Sequence, residues 1–225
     1  MCVAFAVKNV NVELIYYSDS EDCRRAYEQT VSNLNKIKGT NLLFLSEEDV
    51  CEKVGDESLI SLESYEKIFP CTVNIVLKER VETFAAIASE GYSMYDDNGK
   101  FIRNSAVNLN VADGSPNVLL NVKTGEIKTA VELCSKFKKV FSSLRNVVKS
   151  VETAQGLFEG TDTFTFELYI GLKIVLVDYA ACPERKIECA FTVYNSLSES
   201  RKLTGVIRAF DTDGSASSVD AVYSE

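Results

Sequence analysis

Seven cysteines stand at positions 2, 23, 51, 71, 134, 182 and 189, and the chain contains no histidine. Imidazole-activated nucleophiles, His-containing zinc sites and imidazole proton shuttles are thereby removed together. A thiol nucleophile would need a cationic neighbour to lower its pKa. Cys189 has Lys186 one helical turn away, but the same spacing suits any helix flank. An all-cysteine zinc site would need paired C-x-x-C spacings, and the chain has none; only Cys182 and Cys189 are close. Most of the cysteines read as small buried hydrophobes kept reduced.

The acidic clusters give the same answer. Glu47-Glu48-Asp49 falls where a helix start wants negative charge, and Asp96-Asp97 falls in a turn. Asp211-Thr212-Asp213-Gly214 approaches a calcium loop but lacks its downstream glutamate. The glycines are scattered through turns, so no phosphate cradle forms. Lys136, Lys138 and Lys139 lie in the second half of a helix, where cations suit the dipole and a solvated face. The expectation is a non-enzymatic protein with no catalytic residue, no cofactor and no metal.

The surface charge narrows the partners. Lysine and arginine total 24 against 33 acidic residues, a net charge of −9 with pI near 4.8. That balance repels phosphate backbones and anionic lipid, so nucleic acid is not an expected partner. A chain of 225 residues that is 46% hydrophobic can bury a sizeable core. No stretch approaches the roughly 20 apolar residues of a membrane helix.

The element pattern centres on Asn41–Arg80. Leu42-Leu43-Phe44-Leu45 runs into Ser46-Glu47-Glu48-Asp49, a capping signature that opens a short helix closed by Gly55. Leu59–Phe69 and Thr72–Arg80 follow as strands split by Pro70-Cys71; Val73, Ile75 and Leu77 alternate with Asn74, Val76 and Lys78. Upstream, Phe5–Tyr17 reads as a strand and Glu21–Lys36 as a helix capped within Ser18–Ser20, giving the order β-α-α-β-β. Downstream, Tyr92–Tyr95 and Phe101-Ile102 flank an Asn-Gly hairpin turn, and Asp113–Asn117 is a loop. Glu126–Leu144 is the clearest helix. Strands follow over Asn146–Glu152, Thr161–Tyr169 and Leu172–Asp178, then a helix opened by Pro183, then strands Val206–Asp211 and Ser217–Tyr223.

The NLLFL-S-EED opening, the Phe-Pro turn, the closing Lys-Glu-Arg and the later GYSMYDDNGKFI element resemble the FtsQ/DivIB cell-division family. The resemblance covers almost the whole chain. It implies an α+β protein: an N-terminal POTRA domain (β-α-α-β-β) over 5–81, then a β-rich domain over 82–225 with an antiparallel or mixed sheet and two packed helices. It also implies a divisome scaffold at the septum, on the extracytoplasmic side of the cell membrane. The full-length protein would be anchored by a single N-terminal membrane helix absent from this chain.

The partners so implied are FtsB/DivIC and FtsL, recruited by strand addition, with the septal peptidoglycan synthase engaged indirectly. Carried over residue by residue, the partner-facing positions are Ser217, Ser218, Val219, Asp220, Ala221, Val222 and Tyr223 on the last strand, with Phe210 matching the family's aromatic on the strand before. The basic residue often found near the end of the last strand is missing. Two other readings stay open: a POTRA-type module of an export or assembly apparatus that binds extended polypeptide, and a thiol-dependent enzyme.

Overall fold

The computed structural model describes residues 5–17, 20–55, 59–110, 112–155, 162–212 and 218–225. Within them the protein is a mixed α+β chain of twelve strands in two sheets and five α-helices. It divides into two compact units, Met1–Val81 with Val111–Asp113, and Glu82–Asn110 with Gly114–Glu225.

In the first unit, strand β1 (Asn9–Ile15) is followed by helices α1 (Glu21–Leu34) and α2 (Glu47–Val54), then by strands β2 (Ile60–Ile68) and β3 (Thr72–Glu79). Local chemistry sets the helix starts. Ser20 caps α1 by accepting from the Cys23 N–H. Ser46 and Asp49 form a reciprocal box at α2: Asp49 N–H donates to Ser46 Oγ at 3.1 Å and Ser46 N–H donates to Asp49 Oδ2 at 2.7 Å. Gly55 ends α2 at φ 84°, a conformation side chains resist.

β3 lies in the middle of the sheet, parallel to β1 and antiparallel to β2. Its Val73, Ile75 and Leu77 are fully buried under the helices with Leu34, Leu42, Val50 and Ile60, as their alternation predicts. Each such side chain contributes about 1.5–3 kcal/mol by leaving water. The first strand is shorter than the expected Phe5–Tyr17. Phe5–Val7 bonds instead to the 39–42 turn, through Gly39 N–H to Val7 O and Leu42 N–H to Phe5 O. Cys51, on α2, is exposed. Val50 and Val54, four residues apart, define the buried stripe, and Cys51 is a further 100° around the helix.

In the second unit one sheet of nine strands carries everything. The first four strands are β4 (Phe84–Ala88), β5 (Gly91–Tyr95), β6 (Phe101–Ser105) and β7 (Val118–Asn121). Helix α3 (Ile127–Phe141) leads to strands β8 (Val148–Gln155), β9 (Asp162–Leu168) and β10 (Lys173–Val177). Helices α4 (Pro183–Ser196) and α5 (Glu199–Lys202) precede the last strands, β11 (Val206–Asp211) and β12 (Val219–Ser224). The order across the sheet is β12-β11-β10-β9-β8-β7-β4-β5-β6, with β4–β7, β7–β8 and β10–β11 parallel and the other pairs antiparallel.

Helices α3 and α4 cover one face. Phe137 of α3 stacks on Phe166 of β9 at 4.5 Å, and Ile187 and Ala190 of α4 are buried with Ile174, Leu176, Ile207 and Ala209. The parallel β10–α4–β11 crossover is what carries the chain's end outward. After it, β12 can only add beyond β11.

β7 has no counterpart among the strands that the sequence pattern predicts. It has four residues, too few to show a period, and it directly follows the breaker-rich loop. The loop is held by asparagines: Asn110 donates to Asn117 Oδ1 at 3.0 Å and to the Glu82 carbonyl, and Asn117 N–H donates to Asn108 Oδ1 at 3.1 Å.

Candidate partner-binding edge

β12 lies at the border of the nine-stranded sheet, and among the described residues it pairs with β11 alone. The ladder's phase follows from one bond. Thr212 N–H donates to Ser218 O at 2.8 Å, so Thr212 and Ser218 are a hydrogen-bonded pair. In an antiparallel ladder such pairs alternate with non-bonded ones. Given Phe210↔Asp220, Ala209↔Ala221 and Arg208↔Val222, the backbones of Asp220, Val222 and Ser224 turn inward to β11. Those of Val219, Ala221 and Tyr223 turn to the open border.

Two contacts agree with this phase. Ala221 N–H donates to the Asp220 carboxylate Oδ1 at 2.8 Å, and Val219 O accepts from the Cys189 thiol at 3.7 Å. Neither atom is therefore spent on β11.

The side chains sort by face. Ala221 and Tyr223 pack against the core beneath α4. Phe210, Asp220 and Val222 lie on the opposite face, since Ile207 and Ala209 on β11 point to the helices. Phe210 and Asp220 are direct cross-strand neighbours, and Val222 is 51% exposed. Ser218 O takes a second bond from Thr212 Oγ1 at 2.9 Å. The expected Ser217 lies outside the described residues.

Two features hold the border strand that the element pattern alone did not reveal. The first is Gly205, at φ 88°: a Cβ there would meet Ser224 O at 2.6 Å and the Tyr223 ring at 2.7 Å. The contact of Gly205 with Tyr223 depends on tertiary structure. The Tyr223 hydroxyl lies 3.3 Å from the carbonyls of both Arg201 and Thr204, and the Arg201 guanidinium sits over its ring at 5.9 Å.

The second is Lys186, fully buried, whose Nζ reaches Asp211 Oδ2 and Asp178 O, each at 2.7 Å. Lys186 is thus committed to the end of β11 rather than to Cys189.

The other chemistry-bearing residues do not converge. Burial pushes the Cys23 thiol up to about 11, with Glu79 adding to the effect, and burial pushes Cys134 up as well. Cys71, Cys182 and Cys189 are half-buried and Cys51 exposed, so the reading of most cysteines as buried holds only for Cys23 and Cys134 among those described. Asp96 serves its turn, with Oδ1 accepting from the N–H groups of Asn98 at 3.0 Å and Lys100 at 2.8 Å. Asp211 of the calcium-like stretch pairs with Lys186; Asp213 and Gly214 lie outside the described residues. Lys136 pairs with Glu184 at 3.1 Å. Among the described residues no three His, Cys, Asp or Glu side chains gather in a metal-binding group, and no helix is long and apolar enough to cross a membrane.

Comparison with protein-family models finds no match, and comparison with curated proteins finds none.

Proposed function

We propose that the protein is a non-enzymatic scaffold of the bacterial division complex, working outside the cytoplasmic membrane at the septum. It captures partners of the FtsB/DivIC and FtsL type by adding a strand to β12, and so helps to place the septal peptidoglycan synthase. The observation that carries the reading is the border position of β12, with the backbone groups of Val219, Ala221 and Tyr223 turned outward. Strand addition takes its affinity from main-chain groups turned outward in this way and its register from the side chains alongside. Phe210, Asp220 and Val222 would supply that register on one face.

The resemblance to FtsQ/DivIB supplies the partner class. Two features support it: the first unit's order β1-α1-α2-β2-β3 with sheet order β1-β3-β2, which suits a POTRA domain, and a last strand at a sheet border.

The test is capture of the soluble part of a co-expressed FtsB/DivIC-type partner. Val219→Pro removes one outward N–H and leaves the β11 ladder intact. It should abolish capture while the unfolding midpoint stays near that of the parent. Capture by Val219→Pro at the parent's affinity would refute strand addition.

A further inference from the structure

Along the last strand the row of side chains opposite the helices reads Ser218, Asp220, Val222 and Ser224, since Ala221 and Tyr223 take the helix side. Only Asp220 in that row is charged, and only Val222 is apolar. Asp220 is exposed, and its Oδ1 accepts from the Ala221 N–H at 2.8 Å. Because that N–H is turned to the open border, the carboxylate leans out over the border and away from β11. Among the described residues it enters no ion pair. The cations of the same face are answered elsewhere. Arg208 donates to Ser224 Oγ at 3.0 Å, and Lys173 stands directly across from Glu167.

The ladder phase decides how closely this row would meet an added strand. The backbones of Asp220 and Val222 serve β11, so toward an antiparallel newcomer both are non-hydrogen-bonded positions. Residues opposed at such positions stand about 4.5 Å apart between Cα atoms, closer than at bonded positions. Their side chains therefore read each other most directly, and opposite charges attract there while like charges repel.

We propose that this border selects a basic strand, one that sets Lys or Arg opposite Asp220 and an apolar residue opposite Val222. In the order of the incoming chain the pattern is apolar-x-Lys/Arg. The inference rests on the strand-addition reading and names the chemistry of the strand taken. A cation opposite Asp220 draws the carboxylate off the Ala221 N–H, which then donates to the incoming backbone. An acid at that place meets like charge directly, on a chain whose net charge is already −9. The apolar residue fixes the register. A slip by one repeat of the pleat sets either that residue against Asp220 or the cation against Val222.

The test is selection from a phage-displayed library of short strands, with the 225-residue chain as bait. Strands retained by the parent should carry Lys or Arg on the same face as an apolar residue and next after it. Changing that Lys or Arg to Glu in a retained strand should weaken its binding in solution by roughly fivefold or more. Asp220→Asn keeps the shape and drops the charge, and should erase the basic preference at an unchanged unfolding midpoint. Asp220→Lys should turn the preference to Asp or Glu. Retention without a basic preference, or a basic preference that persists in Asp220→Lys, overturns the proposal. If Val219→Pro abolishes such retention, strand addition stands and only the choice of strand falls. Equal retention by Val219→Pro, or none by the parent, overturns the proposal too, and partner capture then decides strand addition by itself. So does self-association of the parent that Val219→Pro abolishes, because a second copy would then fill the border.

Discussion

Lys186 Nζ and Asp211 Oδ2 are 2.7 Å apart, and the lysine is wholly removed from water. The pair ties the first turns of α4 to the last residue of β11, the strand on which β12 depends. Asp211 Oδ1 is buried with no hydrogen-bond partner among the described residues, so the pair is only partly satisfied. Truncating one member of such a pair costs about 3–5 kcal/mol, because the other charge stays buried and uncompensated. Lys186→Met should therefore lower unfolding stability in urea by about that amount. Lys186→Met with Asp211→Leu should recover much of the loss.

Gly205→Ala adds a Cβ where Ser224 O and the Tyr223 ring already stand, at a backbone angle that disfavours side chains. Strain of this kind costs about 1–3 kcal/mol. The change should lower the unfolding midpoint and weaken partner capture together, since it pushes directly on β12. Thermal melts and capture assays on one preparation would show whether the two move in step.

The ladder phase gives β12 two kinds of position. Val219 faces outward, whereas Val222 bonds to Arg208 across the ladder. Val222→Pro should therefore destabilise the domain by roughly 3 kcal/mol, by removing a ladder bond and straining the strand. Val219→Pro should leave stability nearly unchanged. Equal melting curves for the two variants would contradict the phase derived from Thr212 and Ser218.

The Ser46–Asp49 box predicts a pH response. Bonds from Ser46 lower the Asp49 pKa beneath its ordinary 3.8 in the folded state. A depressed carboxylate stabilises the fold at pH above its unfolded value, and that contribution disappears as pH falls through the folded value. Ser46→Ala should cost about 1 kcal/mol near neutral pH. Its difference from the parent should shrink below pH 3.8, as measured by urea melts across that range.

Much of the fold can be read in the chain where a local rule acts alone. Ser46 and Asp49 announce a helix start, and Val73, Ile75 and Leu77 announce a buried strand face, because capping and alternation need only near neighbours. The readings that failed depend on distant partners. Phe5–Val7 looks extended, yet its hydrogen bonds go to the turn at 39–42. Val118–Asn121 is too short for a period, and its place between β4 and β8 comes from pairing order. Lys186 looks like any helix-flank lysine until β11 brings Asp211 to it. The border strand was legible as a strand. Its border position was not, because that is set by the parallel β10–α4–β11 crossover.

The contacts made by Asp220 and Cys189 change what recruitment means in energetic terms. The outward amide of Ala221 and the outward carbonyl of Val219 already have in-house companions. An arriving ribbon must displace those companions, so docking becomes a swap rather than a gain from nothing. Weak or mismatched visitors would find little profit in the swap. The rim can thus stay inert toward chance encounters and still open to a ribbon whose own backbone and side chains out-compete the residents.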